Sequence, residues 1–207
     1  MDEINWSILE GQGLKFFGRV GASISHEIKN CLAIINEQNG LLEDFLYLAQ
    51  QGQHLDIERI KGIVASIARQ VERANTIARR LNKFAHSVDE TWVQVDLREI
   101  VTLVVDLAQR MAAVKGFQLI ASNLEPVNVS TQPFILMDLI FSCIDQIMEG
   151  RGKGLQISLS CVKQKKQPTV IISEPVEVNE FLKVLASTIE AHISVEQQTK
   201  ISINKIS

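Results

Sequence analysis

The sequence predicts an α+β protein in which an antiparallel helical hairpin precedes an α/β sandwich. Hydrophobic residues follow a spacing of three and four as far as Phe84, without a proline, and this spacing is typical of helices packed along their length. From Thr91 onward they alternate in short runs typical of strands, and helical stretches separate the runs. The 207 residues are 46% hydrophobic, which is enough for a packed core.

The second helix of the hairpin has the more regular hydrophobic pattern. Its alternating positions are Ile57, Ile60, Val64, Ile67, Val71, Ala74, Ala78 and Leu81. The first helix repeats the spacing at Ile24, Ile28, Cys31, Ile35, Leu42 and Phe45, with Gln38 in the intervening position. A polar segment separates the two helices, and we expect Asp56 to cap the second one. Because one hairpin cannot cover both apolar stripes, we expect two chains to form a homodimeric four-helix bundle.

The second half predicts the element order β-α-β-β-α-β-β-α-β-β, with the helices on one face of a sheet. Asp96 is the expected N-cap of the first of these helices, and a polar turn is expected at Lys163 to Gln167. The predicted organisation is an N-terminal extension over residues 1–18, the hairpin over 19–87 and the α+β domain over 92–207. The segment from Ser87 to Thr91 is the expected hinge.

Composition excludes several classes of function. The net charge is −3, the isoelectric point is near 5.8, and no basic block occurs, so a nucleic-acid partner is not expected. No apolar stretch approaches the roughly 20 residues of a membrane span, and acids stand where a signal peptide needs basic residues. The three cysteines have no metal-site spacing and are expected to be buried thiols in a reducing compartment. We therefore expect a cytoplasmic protein without a membrane partner.

The segment Ser23 to Ala33 reads Ser-Ile-Ser-His-Glu-Ile-Lys-Asn-Cys-Leu-Ala and resembles the H-box of sensor histidine kinases. The hairpin around it resembles their dimerisation and histidine-phosphotransfer domain. The one departure is Cys31, where that family commonly has proline, so we expect a helix without a proline kink. The resemblance implies that His26 is a phosphoacceptor and that the protein belongs to bacterial two-component signalling.

The helical spacing supports the same role for His26. It lies two residues before Ile28, about 200° around the helix, and is therefore expected to face solvent, with Asn30 one turn later on the same face. A neutral imidazole nitrogen is nucleophilic, and Glu27 is expected to hold the proton on the other ring nitrogen and orient the ring. Asn30 is expected to contact a phosphoryl oxygen or to position a water molecule. By itself, an exposed histidine is more often an ordinary surface residue.

The α+β half resembles, in its element order, the ATP-binding domain of the same kinases, which shares its fold with gyrase and the Hsp90 chaperones. The resemblance implies a degenerate domain, because Ser142 and Gln146 stand where asparagines are expected and Ser173 stands in place of the adenine-reading aspartate. Gly154 is the last glycine of the chain, and a loop that cradles phosphates needs glycine. ATP binding is therefore not expected, and neither is a metal or cofactor held by this chain.

The predicted function is that of a histidine phosphotransferase, which passes a phosphoryl group between response-regulator aspartates through His26. Similar dimeric phosphotransferases of bacterial phosphorelays pair a helical hairpin with a degenerate kinase-like domain. The expected partners are receiver domains, which would supply Mg²⁺, and a cognate histidine kinase is a further candidate. The alternatives are a response-regulator phosphatase that uses Asn30, a non-catalytic pseudokinase adaptor and, less favoured, a divergent active kinase.

The second hairpin helix has an excess of basic residues. It carries Arg59, Lys61, Arg69, Arg73, Arg79, Arg80 and Lys83 against Asp56, Glu58 and Glu72. Such a face would attract the acidic phosphorylation pocket of a receiver domain and speed the encounter. The alternative is an ordinary solvated helix surface whose charges are balanced by acids elsewhere.

Overall fold

The structure, a computed structural model, describes residues 3–89, 91–164 and 167–204, with the side chains from Gly11 onward. It confirms the α+β fold class and the predicted order of elements. The helices are α1 (Glu3–Gln50), α2 (Ile57–His86), α3 (Leu97–Lys115), α4 (Pro133–Gly150) and α5 (Glu180–Thr188). The strands are β1 (Val93–Asp96), β2 (Gln118–Leu124), β3 (Asn128–Thr131), β4 (Gln156–Gln164), β5 (Gln167–Ile172), β6 (Ala191–Val195) and β7 (Thr199–Ile203). No helix of the described residues is both long enough and apolar enough to cross a membrane.

Two compact units divide the chain. One comprises residues 21–82 of the hairpin, and the other combines residues 1–20 with residues 83–207. The predicted N-terminal extension is therefore helical from Glu3, continuous with the first hairpin helix, and packed with the α+β domain. At the predicted hinge, Ser87 to Asp89 form a turn in which the Ser87 hydroxyl donates to the Phe84 carbonyl at 2.6 Å. Glu90 lies outside the described residues.

The hairpin is closed by the connection that the sequence predicts. The Asp56 carboxylate accepts a hydrogen bond from the Arg59 backbone N–H at 3.1 Å, which makes Asp56 the N-cap of α2. The Arg59 guanidinium lies 4.8 Å from the centroid of the Phe45 ring. At the other end of the two helices, Phe16 and Phe17 contact Phe84. These contacts establish that α1 and α2 run antiparallel.

The contact line between α1 and α2 differs from the predicted stripe on α2. Ile63 and Ile77 are buried, whereas Ile57, Val64 and Val71 are 45–53% exposed. The intervening positions 60, 67, 74 and 81 of the stripe are half-buried. The physical reason is that, among the described residues of the hairpin unit, residues 57–82 of α2 have only α1 to pack against. The hairpin covers the side of the stripe nearer α1 and leaves the other side open.

The α+β domain contains two sheets rather than one. β1 and β3 pair antiparallel in a small sheet, while the other strands form a five-stranded sheet in the order β2-β4-β5-β7-β6. Burial alternates along β4, where Ile157, Leu159 and Cys161 are inaccessible, so one face of this sheet is covered. α3 packs against β2, β4 and β5, and α4 packs against α3 and α5. The three cysteines are buried free thiols, as predicted.

Local sequence signals account for several boundaries in this domain. The Asp96 carboxylate accepts from the Arg98 backbone N–H at 2.9 Å, which confirms it as the N-cap of α3. At the other end of α3, Gly116 has a φ of 83°, which a residue with a Cβ adopts only with strain. The predicted turn between β4 and β5 includes residues 165 and 166, and the predicted end of the last strand includes residues 205 and 206. Those four residues lie outside the described residues.

A cluster of phenylalanines joins the first turns of α1 to the α+β domain. The Phe16 ring contacts the rings of Phe84, Phe134 and Phe141 with centroid separations of 4.8–5.5 Å. Next to it, the Arg19 guanidinium makes two hydrogen bonds to the Asp145 carboxylate, at 2.5 and 2.6 Å. Phe16 is therefore part of the domain core, and Arg19 attaches the same helix to α4 by a bidentate ion pair.

We expect Phe84→Ala to lower the free energy of unfolding of the α+β unit by about 3–5 kcal/mol, because the ring is fully buried and in contact with three other phenylalanines. Urea denaturation followed by circular dichroism measures the effect. Leu14→Ala on α1, at a side chain that is 74% exposed, is the control and should cost less than about 0.5 kcal/mol. Equal losses in the two variants would contradict this assignment of the core.

Candidate functional site

His26 lies on α1 with its side chain exposed, as its spacing from the hydrophobic positions requires. Asn30 is exposed one turn further along, so the two side chains project from neighbouring positions on one helix face. Neither makes a side-chain hydrogen bond to any residue that the structure describes. Within one chain, the imidazole is accessible to an incoming protein.

Glu27 is half-buried, and no hydrogen bond joins its carboxylate to the His26 ring among the described residues. Consecutive residues on an α-helix project about 100° apart, so adjacent side chains do not face each other. The expected bond between Glu27 and the ring is therefore not formed in this chain.

The helix that carries His26 is continuous through the position where the resemblance places a proline. α1 is a single helix of 48 residues, and Cys31 is completely buried on its contact line with α2. A small apolar side chain fits this position. The backbone N–H of Cys31 is also available to the helical hydrogen-bond ladder, which a proline would interrupt.

The two sides of the hairpin differ in chemistry. The contact line consists of the residues of each helix that face the other helix, such as Cys31 on α1 and Ile63 on α2. Because the helices are antiparallel, the residues that directly follow these positions in sequence lie on one side of the hairpin. The residues that directly precede them lie on the other side. The first side presents the exposed apolar residues Leu32, Leu46, Val64 and Val71, and the second presents the exposed or half-buried polar residues Asn30, Glu37, Arg69 and Thr76. His26 lies about 40° from Asn30 around α1, toward the polar side.

In the α+β domain, two of the three predicted degenerate positions, Ser142 and Ser173, form hydrogen bonds within the protein. The Ser142 hydroxyl donates to the Asp138 carboxylate at 3.1 Å. The Ser173 hydroxyl accepts from the Ser158 backbone N–H at 3.0 Å, which links the ends of β4 and β5. Gln146 is half-buried, and its side-chain oxygen has no hydrogen-bond partner among the described residues. Ser142 lines a small cavity that neither Ser173 nor Gln146 reaches.

That cavity has a volume of about 100 Å³ and is polar on one wall. Gln12, Lys15 and Arg19 of α1 line it, together with Asp138 and Ser142 of α4, and Phe16, Phe141 and Phe181 complete the wall. The first turns of α1 therefore occupy space beside α4 in this unit. Sites for drug-sized ligands typically measure about 300–1,000 Å³, so this cavity is too small for a nucleotide.

Asp138 is a residue that the sequence analysis missed. Its side chain is 2% exposed, and this burial raises the pKa of its carboxyl from 3.8 to about 7, although the hydrogen bond from Ser142 acts in the opposite direction. The signal in the sequence was an isolated acid inside the apolar run from Leu136 to Ile140.

The acid on the next turns of α4 behaves differently. Asp145 is also partly buried, but hydrogen bonds from Arg19 and Lys115 outweigh the effect of burial and lower its pKa. α4 therefore carries two carboxyl groups of opposite behaviour: burial favours the neutral form of Asp138, and hydrogen bonds from two cations favour the charged form of Asp145. Among residues 3–89, 91–164 and 167–204, no group of three or more His, Cys, Asp or Glu side chains has the arrangement of a metal site.

Comparisons with known proteins found similarity in structure only. No protein-family model matches the chain, and no curated protein matches it in sequence. Histidine kinase AdeS of Acinetobacter baumannii aligns over 88% of this chain and 98% of its own, with 12% identity and a TM-score of 0.46. The cytoplasmic segment of histidine kinase QseC aligns over 68% and 94%, with 14% identity and a TM-score of 0.46.

A third similar structure is the catalytic domain of histidine kinase ThkA, which aligns over 56% of this chain and 98% of its own. The identity is 13% and the TM-score is 0.46. The chain is thus similar in structure to cytoplasmic segments of histidine kinases, at a level that concerns the fold alone.

We expect Asp138→Asn to stabilise the protein increasingly as the pH rises. The raised pKa means that the unfolded state binds fewer protons than the folded state between about pH 4 and pH 7, so wild-type stability falls across that range, whereas asparagine stays neutral. The difference in unfolding free energy between variant and wild type should grow by on the order of 2–3 kcal/mol from pH 5 to pH 8.

Denaturation curves at several pH values measure this difference. Asp44→Asn removes a charge at an exposed position and serves as the control, which should show no comparable trend. A flat difference for Asp138→Asn would show that its carboxyl titrates alike in the folded and unfolded states.

Proposed function

We propose that the protein is a histidine phosphotransferase of a bacterial, cytoplasmic two-component phosphorelay, with His26 as the phosphoacceptor. The observation that carries the proposal is the exposed imidazole within His-Glu-Ile-Lys-Asn, on the first helix of an antiparallel hairpin. An exposed histidine alone has no functional meaning, but this one has an exposed amide one turn away and faces away from the contact line with α2.

The proposed step transfers a phosphoryl group from an aspartyl phosphate to the ring. The lone pair of one imidazole nitrogen attacks phosphorus, a P–N bond forms, and the P–O bond to the aspartate breaks. The departing oxygen keeps the electron pair as a carboxylate, while the other ring nitrogen keeps its proton and leaves a phosphoimidazolium. The reverse reaction delivers the phosphoryl group to the aspartate of a second receiver domain.

The chain itself supplies positioning in this proposal. The Asn30 amide can donate to a phosphoryl oxygen from one turn away, and Glu27 would act on the ring only after a rotamer change, since it makes no bond to it in this chain. The receiver domain would bring the Mg²⁺ ion and the acidic pocket that in-line transfer needs.

Three features favour phosphoryl relay over ATP-dependent kinase activity. The cavity beside Ser142 measures about 100 Å³, and the first turns of α1 line it. Ser142 and Ser173, at two positions that would serve a nucleotide, form hydrogen bonds within the protein. The segment between β5 and α5 contains no glycine to turn backbone N–H groups toward phosphates.

We also infer a homodimer. The apolar side of the hairpin leaves Leu32, Leu46, Val64 and Val71 each about 45–56% exposed. A second hairpin packed on this side would complete a four-helix bundle and bury all four side chains. The polar side, toward which His26 points, would stay open to a partner.

Phosphorylated receiver domains from the same organism test the relay. We expect the wild-type protein to acquire acid-labile phosphate from at least one of them, and His26→Gln to acquire none, because His26 supplies the only imidazole of the motif. Asn30→Ala should slow transfer about 10- to 100-fold while leaving the acceptor intact. Labelling with radioactive phosphate measures both effects, and His54→Gln is the control at a second exposed histidine.

Other results would favour the alternatives. Phosphate release from a receiver that survives His26→Gln but is lost in Asn30→Ala would identify a phosphatase. Signalling that both variants leave unimpaired would identify an adaptor. Labelling of His26 from ATP by the isolated protein would identify an active kinase and overturn the account of its α+β domain.

For the dimer, we expect Val64→Glu to produce monomers, because it places a charge in the apolar interface of two hairpins. Light scattering after size-exclusion chromatography measures the mass. Ala68→Glu changes an exposed position on the outer face of α2 and should remain dimeric. A wild-type protein that is monomeric at high concentration would refute the inferred dimer.

A further inference from the structure

We propose that Arg69 and Arg73 of α2 form the cationic contact that receives the acidic surface of the receiver domain at His26. This inference rests on the proposed function and names residues for its docking step. The sequence of α2 is compatible with two interpretations of its basic residues, a docking surface or an ordinary solvated surface.

The structure divides the basic residues of α2 into two groups. Lys61 bonds to Glu58 at 2.7 Å and Arg79 bonds to Glu72 at 2.9 Å. Lys83 bonds to Glu99 at 2.5 Å. Arg59 lies over the Phe45 ring, and Arg80 also has an interaction partner. Five of the seven basic residues of α2 thus interact with other groups of the same chain.

Arg69 and Arg73 are the exceptions on α2. Both side chains are exposed, and neither has an ion pair or hydrogen bond with any residue in the described part of the chain. They are four residues apart, so the two guanidinium groups project side by side from one face. Two adjacent like charges destabilise an isolated helix slightly, so this pair gains stability from an anionic partner.

Their position on α2 directs them toward His26. Arg69 directly precedes Gln70, which lies on the contact line, so Arg69 is on the polar side of the hairpin. Arg73 lies between the contact line and Arg69 around the helix, and is therefore on the same side. The contacts of Phe45 with Arg59 and of Phe16 with Phe84 set the register of the helices. In this register Arg73 lies level with Asn30, and within about one turn of His26 along the axis.

The chemistry of the pair selects an anionic protein surface. A guanidinium presents paired N–H donors that match carboxylate and phosphoryl oxygens. A receiver domain offers both, namely the acidic residues of its phosphorylation pocket and the phosphoryl group itself. A nucleic acid fits less well, because binding it commonly takes about 6–10 phosphate contacts, and the chain has a net charge of −3.

Acids on the same side of the hairpin are few. The acids on the polar side of α1 are Glu27, which is half-buried beside His26, and Glu37, which is exposed and further from His26 than Asn30 is; Lys29 precedes Asn30 in sequence. Glu72, next to Arg73 in sequence, is engaged by Arg79. The positive charge of Lys29 offsets the negative charge of Glu27, so Arg69 and Arg73 leave the surface around His26 and Asn30 positive on balance, which favours an acidic partner.

The test compares two double variants that remove the same charge. Arg69→Ala with Arg73→Ala removes the unpaired cations, and Lys61→Ala with Arg79→Ala removes two cations that are paired within α2. The full chain is mixed with receiver domains of the same organism, phosphorylated with acetyl phosphate, and transfer to His26 is followed at low and high salt. Thermal melts establish that both variants are folded.

We expect the first double variant to lose about 10- to 100-fold in kcat/KM, mainly through a higher KM, together with most of the salt dependence of transfer. The second should stay within about threefold of wild type. Similar rates for the two double variants would overturn the proposed contact and leave the relay in place. If no receiver transfers a phosphoryl group to the wild-type chain, the proposed function fails and the docking role of the arginines fails with it.

Discussion

The structure depends on one constraint, which is that a single helix must pack against two different partners along its length. α1 contributes its first turns to the α+β unit and its remaining residues to the hairpin unit. In the α+β unit, Phe16 makes aromatic contacts and Arg19 forms a bidentate ion pair. In the hairpin unit, Ile24 and Cys31 are buried on the side of α1 that faces α2. The helix is uninterrupted between them, so a change of partner occurs without a change of secondary structure.

The hairpin separates two kinds of surface by the phase of its hydrophobic residues. Apolar positions on α2 extend beyond the width that α1 can cover, which leaves Val64 and Val71 exposed on one side. Polar positions fall on the other side, where Asn30 and the unpaired Arg69 lie. α2 therefore combines an apolar stripe that is wider than its contact with α1 and a polar edge on the opposite side.

The sequence predicted the order of all ten elements of the α+β half and the exposure of His26. Periodicity shows which face of an element is apolar, and caps such as Asp96 mark where a helix starts. The order of elements and the exposure of His26 could therefore be predicted from the sequence. Spacing identifies the apolar stripe on α2 but not which edge of it α1 covers, so the burial of Ile63 and Ile77 was not predicted. The second sheet depends on the pairing of β1 with β3, which are distant in sequence, and the burial of Asp138 depends on the packing of α4 against α3 and α5; the sequence showed only an isolated acid in an apolar run.

Arg69 and Arg73 illustrate the same limit on α2. Composition identified seven basic residues, but only the contacts of the others, with acids or an aromatic ring among them, distinguish these two. The residue type determines the charge, and the position in the sequence determines the helix face. Whether that charge is already neutralised is a property of the folded chain.

The continuity of α1 has a chemical consequence for a group bound at His26. Inside an unbroken α-helix every amide hydrogen is already bonded to the carbonyl four residues earlier, and His26 stands more than twenty residues from either end. In the proposed relay, a phosphorylated ring at that position would receive no main-chain donors of the kind that a helix terminus or a glycine-rich turn offers. Side chains or the receiver domain would have to neutralise its negative oxygens, so the phosphoryl group would be weakly bound and readily transferred.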